Sequence, residues 1–187
     1  MRKLPKELEN PFDNVMLSMC GNEMMDNLYK NGITPNMITT VGNFFRILSI
    51  YFLYHHQKLF FILFYIFGYY FDCLDGHYAR QYNLCSKFGD VYDHASDLIF
   101  YILLIYYIFQ RSSLPNSQYF IPVTILLITF SILLLVHMGC QQIYYKSEDE
   151  YLDVCKSLCF NEDWLTVTRH FGCGTYILLI TILAAVF

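Results

Sequence analysis

Residues 59–109 read LFFILFYIFGYYFDCLDGHYARQYNLCSKFGDVYDHASDLIFYILLIYYIF: an apolar run into Asp72 and Asp75, a short polar stretch, then Asp93 and Asp97 opening a second apolar run. Each run approaches the roughly 20 residues a helix needs to cross a bilayer core. Two spans therefore carry acidic residues at the same membrane end. Working outward, apolar segments near 37–54, 59–74, 91–109, 119–138 and 174–187 predict an all-α polytopic transmembrane helix bundle of about five to six spans. The last segment holds about fourteen apolar residues, short for an upright crossing, and is expected to be tilted or incomplete.

Composition agrees. Of 187 residues, 56% are apolar and 19% aromatic, while only 15% are charged, against about 25% in average chains. This excludes intrinsic disorder, and the net charge of −4 provides no basic face for a phosphate backbone, so nucleic acid is not an expected partner. Membrane lipids are. The first ten residues are polar and show no apolar signal-peptide core, so insertion is expected to use the internal spans. Arg2, Lys3, Lys6, Lys30, Arg80, Lys87, Lys146, Lys156 and Arg169 fall on one side of these spans, Lys58 and Arg111 on the other. The positive-inside rule makes the first side cytosolic, and the acidic mouth with it.

Residues 1–34 mix apolar and charged positions and are expected to form a cytosolic amphipathic arm with an interfacial helix, ahead of a membrane domain over 35–187. The seven cysteines are odd in number and lack C-x-x-C spacing, so they are read as free thiols. Cys155 and Cys159, near His137 and Cys140, are taken as small buried hydrophobes rather than metal ligands. The tract Ser147–Glu150 reads as a solvated loop. His170-Phe-Gly-Cys-Gly174 reads either as a small-residue contact or as a head-group loop.

Asp72 and Asp75 at i, i+3 share one helix face, and Asp93 and Asp97 at i, i+4 share another, so an antiparallel hairpin aims all four into one volume. Each intramembrane Asp costs about 2.5–3.5 kcal/mol on insertion scales, and the like charges repel, so protonation or bound cations must offset them. Oxygen ligands favour magnesium or manganese. Gly76 permits close backbone approach, Ala79 leaves a small surface, and Arg80 offers a bidentate phosphate fork. Together these parts describe two-metal phosphoryl transfer at a diphosphate, with one carboxylate taking the nucleophile's proton. Arg46, inside the first span, can reach a substrate phosphate, snorkel, or pair with a pocket carboxylate. His77 and His94 are read as polar residues lining a wet pocket.

The spacing D-x-x-D-G-x-x-A-R-x8-G-x-x-x-D-x-x-x-D resembles the signature of the CDP-alcohol phosphotransferases (class-I CDP-alcohol phosphatidyltransferases), integral membrane enzymes of phospholipid synthesis, with every fixed position filled. Eight fixed residues at usages of about 5–8% coincide by chance on the order of once in 10⁹ to 10¹⁰ starts. Pro35-Asn36-Met37-Ile38-Thr39 looks like the family's Pro-Asn-x-x-Thr element. The resemblance implies that Asp72, Asp75 and Asp93 ligate two Mg2+ or Mn2+ ions, with Asp97 a further ligand and the general base. It also implies that Asn36, Thr39, Gly76, Arg80 and Ser86 contact the CDP moiety, with close approach at Ala79 and Gly89. An acceptor hydroxyl, on a lipid or a small alcohol, would attack the phosphorus bonded to the donor alcohol of a CDP-linked donor, releasing CMP. Family members usually have six spans. A second copy of the chain is a candidate partner.

Asp93-His94 followed by Asp97, with Leu98 rather than Arg next, resembles choline and ethanolamine phosphotransferases and favours that subgroup. Gly76-His77-x-Ala79-Arg80 with Lys87-Phe88-Gly89 is instead similar to phosphatidylinositol synthases, which use CDP-diacylglycerol. A non-catalytic divalent-ion carrier or scaffold is the rival of another class. Its mark would be a repeated acidic pattern in an inverted half, and the sequence holds no second copy.

Overall fold

The computed structural model describes residues 4–112, 118–145 and 153–187, and among these all regular structure is helical. The helices are α1 (Pro11–Met19), α2 (Asn22–Lys30), α3 (Pro35–Tyr54), α4 (Lys58–Gln81), α5 (Lys87–Ser112), α6 (Phe120–Tyr145), α7 (Asp153–Lys156), α8 (Leu165–Thr168) and α9 (Cys173–Val186). Among the described residues, five helical stretches are long and apolar enough to cross a membrane: α3, α4, α5, α6 and Leu165–Val186. The transmembrane helical architecture is thus as expected, but the last stretch begins at Leu165 rather than at 174, about two and a half helical turns of chain earlier than hydropathy placed it. A 3₁₀ turn over Arg169–Phe171 follows α8, and an extended Gly172 separates it from α9, so short helical turns carry the polar residues that precede the apolar run. By contrast, α4 and α5 continue as unbroken helices through the acidic motif. The tract Ser147–Glu150 lies outside the described residues, as do Arg2, Lys3 and Lys146.

The described residues divide into two compact units, one within 15–108 and 180–187 and another within 4–14 and 109–179. In the first, α3 starts at an extended Thr34 whose hydroxyl accepts the Met37 N–H at 3.4 Å, with Pro35 in the first turn where its missing donor costs nothing. Gly32 at φ +71 makes the preceding turn. α3 and α4 form a close hairpin. A Cβ placed on Gly42 would stand 3.2 Å from the Gly68 carbonyl oxygen, and one on Gly68 would stand 3.2 Å from that of Gly42. Two hydrogens where side chains would stand let the backbones meet, as small residues do between membrane helices. Phe45 fills the flank, with ring centroids 5.4 Å from Phe71 and 6.0 Å from both Phe64 and Phe67.

The arm docks on the same hairpin. Met25, Cys20, Ile38, Leu74 and Tyr78 form a buried cluster, and the Tyr78 hydroxyl donates to the Ile33 carbonyl at 2.7 Å. Tyr82 stacks on Tyr29 at 4.5 Å and donates to the Asp26 carboxylate. That hydrogen bond, followed by desolvation and the Asp26 charge, pushes the Tyr82 phenol up to about 12. Val15, Met19 and Met24 remain exposed apolar residues on α1 and α2, a pattern compatible with a helix lying in a membrane interface.

In the second unit the segment after α6 folds back on it. Gly139 lies directly beneath the Cys155 carbonyl, where no Cβ fits, and Leu4, Cys140, Cys159 and Leu165 share a buried cluster. Here the reading of the cysteines is corrected: Cys140 and Cys159 form a disulfide with Cα atoms 5.1 Å apart, and the other five form none. The pairing depends on the return of the chain onto α6, 19 residues away in sequence, which spacing rules for local cysteine motifs do not register. Gly172 and Gly174 sit tightly against His137, Asn10 and Asp13. Of the two readings of residues 170–174, the structure has the small-residue contact. Asn10 ties it by donating to the Arg169 carbonyl at 2.7 Å and to the Thr175 hydroxyl at 2.8 Å.

Candidate active site

The α3–α4–α5 part of the first unit places the motif residues. Asp72 and Asp75 lie in the last three turns of α4, Asp93 and Asp97 in the first three of α5. At 1.5 Å per residue these positions are roughly 9–15 Å from the helix ends. The turn between the helices uses Asn83 at φ +56, a conformation Asn tolerates, and Ser86 caps α5 by accepting the Gly89 N–H at 3.0 Å.

One carboxylate oxygen from each of Asp72, Asp93 and Asp97 falls within 4.8 Å of the others. Asp75 stands outside this trio. It is buried, and its Oδ2 accepts the Thr39 hydroxyl at 2.5 Å, so α3 holds it from the side. The structure therefore brings three of the four aspartates to a common point and gives the fourth to a partner anticipated for nucleotide contact.

Arg46 resolves the choice left open by the sequence. Its Nη2 donates to Asp72 Oδ1 at 2.6 Å and its Nη1 to Asp97 Oδ1 at 2.5 Å, at 3% exposure. It pairs with pocket carboxylates from two helices at once. Its guanidinium carbon lies 5.6 Å from the centre of the Phe100 ring, close enough for a cation–π contribution. On Asp93, Oδ1 is buried without a hydrogen bond.

Three of the nucleotide-contact candidates, Asn36, Ser86 and Gly89, gather at the α5 N-terminus. A Cβ on Gly89 would be 3.0 Å from both the Asn36 amide oxygen and the Ser86 hydroxyl, so Asn36, Ser86 and Gly89 are mutual neighbours. Gly76 faces the Arg80 guanidinium, with a Cβ there 3.1 Å from Nη1. Ala79, three residues further along α4, is buried. His94 directs Nδ1 to the Asp90 carbonyl at 2.7 Å, and His77 is buried.

The sequence reading did not select Tyr92 or Asn43. The Tyr92 hydroxyl is 3.1 Å from the Thr40 hydroxyl and accepts the Asn43 amide at 3.4 Å, which ties α5 to α3 one residue from Asp93. A signal was present. Asn36, Thr39, Thr40, Asn43 and Arg46 recur at spacings of three and four along an otherwise apolar span, a polar stripe on one helix face.

A family model described as CDP-alcohol phosphatidyltransferase matches residues 32–158. The chain belongs to the CDP-alcohol phosphatidyltransferase family. The match takes in α3, α4 and α5 with the whole acidic motif, and continues through α6, beyond the reach of the named motifs. No curated protein and no solved structure matches the chain. Membership makes the protein an integral membrane transferase of a phosphate-linked alcohol, with a CDP-alcohol donor and an alcohol acceptor.

The family uses divalent metal ions, and the residues present fit one. Every available ligand atom in the trio is a carboxylate oxygen, which suits Mg2+ or Mn2+, and the orphaned Asp93 oxygen is a buried acceptor that a cation would satisfy.

Proposed function

We propose that this family member moves a phosphoamino-alcohol from a CDP-linked donor, choline or ethanolamine in type, to a lipid hydroxyl with release of CMP. Asp72, Asp75, Asp93 and Asp97 would hold two Mg2+ or Mn2+ ions, whose bound charge neutralises the diphosphate. Asn36, Thr39, Gly76, Arg80, Ser86 and Gly89 would seat the cytidine diphosphate, with Ala79 giving it room. The acceptor oxygen attacks the phosphorus bonded to the donor alcohol, the bond to the CMP oxygen breaks, and the acceptor's proton passes to Asp97 through the oxygen that Arg46 does not engage. The site opens to the cytosol, on the lysine- and arginine-rich side.

The observation that carries this reading is the convergence of Asp72 and Asp93–Asp97 oxygens from two antiparallel helices within 4.8 Å. The choice of donor rests on His94 and Leu98 flanking Asp93 and Asp97. A second reading, a CDP-diacylglycerol donor as in phosphatidylinositol synthesis, is favoured by Gly76-His77 and Lys87-Phe88-Gly89. Purified protein supplied with labelled CDP-choline, CDP-ethanolamine or CDP-diacylglycerol, each with diacylglycerol or inositol, separates them. CMP release from the first two donors with diacylglycerol is expected. Release only with CDP-diacylglycerol supports the second reading, and no release from any donor rejects an enzyme in favour of an ion-binding carrier or scaffold.

A further inference from the structure

The proposed metal ligands carry a resident cation. Arg46 comes from α3, a helix that contributes none of the four aspartates, and it bridges Asp72 on α4 to Asp97 on α5 through two separate nitrogens at 2.6 and 2.5 Å. The bridge is built. Gly68 lies under the arginine stem, where a Cβ would stand 2.6 Å from Arg46 Cγ, and the Arg46 carbonyl accepts the buried Ser49 hydroxyl at 2.6 Å. Phe100 covers the guanidinium. A snorkelling side chain would be free to reach water, whereas this one is confined to a single orientation between two carboxylates.

We infer that Arg46 is a positioning residue that sets divalent-ion affinity, holding Asp72 and Asp97 in ligand orientation before an ion binds and competing with that ion for their oxygens. The inference rests on the proposed metal centre. Three carboxylates forced together without a counter-charge repel, so a fixed guanidinium makes the ion-free site tolerable. It also adds a positive charge beside the incoming cation and engages one oxygen on each of two ligands. Both effects weaken ion binding relative to an all-acidic site. Asp93 Oδ1, which has no hydrogen bond, is a ligand atom that the guanidinium does not engage. The guanidinium cannot be switched off by pH, since arginine stays protonated, so the competition is permanent.

The test is Mn2+ binding to the purified full-length chain, read as loss of the free-ion signal in electron paramagnetic resonance, with melting temperature recorded in parallel. Arg46→Gln should tighten Mn2+ binding by about tenfold or more. Without divalent ion it should melt below wild type, and Mn2+ should raise its melting temperature more than it raises that of wild type. Arg46→Lys keeps the charge but places one compact ammonium where two nitrogens reached two carboxylates, so its affinity should lie between. It carries the test alone if the Gln variant does not fold. Equal Mn2+ affinity in wild type and the folded variants, or weaker binding in the variants, overturns the role given to Arg46 and leaves the metal centre standing. A wild-type protein that binds no Mn2+ overturns both.

Discussion

Gly68 on α4 lies directly beneath Arg46 on α3: a methyl at position 68 would stand 2.6 Å from Arg46 Cγ and 3.2 Å from the Gly42 carbonyl. The crossing of the two helices and the placement of the pocket cation are therefore one packing arrangement. The contact falls at the base of the arginine side chain and on backbone, where little can move aside.

Gly68→Ala should accordingly cost about 1–3 kcal/mol through overpacking and displace the Arg46 bridge. Thermal unfolding in detergent measures the first effect, and Mn2+ affinity closer to that of Arg46→Gln measures the second. Wild-type behaviour in both would mean that the hairpin yields and that the bridge does not depend on it.

Thr39→Val keeps the shape of the side chain and removes the hydroxyl that Asp75 accepts at 2.5 Å. A buried carboxylate losing its donor should cost about 1–3 kcal/mol. Thr39→Ser should recover most of that loss. Unfolding of the three proteins side by side checks it, and a Val variant as stable as wild type would show that Asp75 finds another partner.

Asp97→Asn should abolish turnover, by about 10²–10⁴-fold for loss of the general base alone. The folded state should persist, because the amide oxygen can still accept from Arg46. CMP release against an unchanged unfolding profile is the measurement. Activity retained in this variant would transfer the proton-accepting role to another carboxylate.

The Cys140–Cys159 disulfide closes a 19-residue separation and should stabilise its unit by about 3 kcal/mol. Alkylation of the denatured, unreduced protein followed by mass spectrometry should label five cysteines, and seven after reduction. Seven labelled without reduction would refute the bridge.

Much of the fold was legible because the bilayer imposes a length on apolar helices, and α3 to α6 follow it. The acidic pairs were legible for a similar reason, since spacings of three and four are fixed by the helix itself. What escaped depends on relations between helices. Nothing local to Arg46 states which of its three options it takes; that choice is made by Gly68, 22 positions later, and by the approach of α4 and α5. Asp75 shares a face with Asp72 in the helical pattern, yet Thr39 on a neighbouring helix draws it away from the trio. Cys140 and Cys159 meet only because the polar segment between two spans folds back onto α6. The early start of the final stretch was hidden because residues 165–172, short helical turns ending at an extended Gly172, lie ahead of the apolar run.

Aspartates from α4 and α5, in the function proposed above, share divalent ions that grip a CDP-alcohol's diphosphate. Phosphorus-31 relaxation of CDP-choline or CDP-ethanolamine, recorded with the purified protein and Mn2+, reports that proximity. Wild type should broaden both diphosphate resonances, and Asp72→Asn with Asp93→Asn should abolish the broadening while the protein stays folded. Broadening that persists in the double variant, or its absence in wild type with all CDP-alcohol donors, would mean that these aspartates do not hold the ions at the diphosphate.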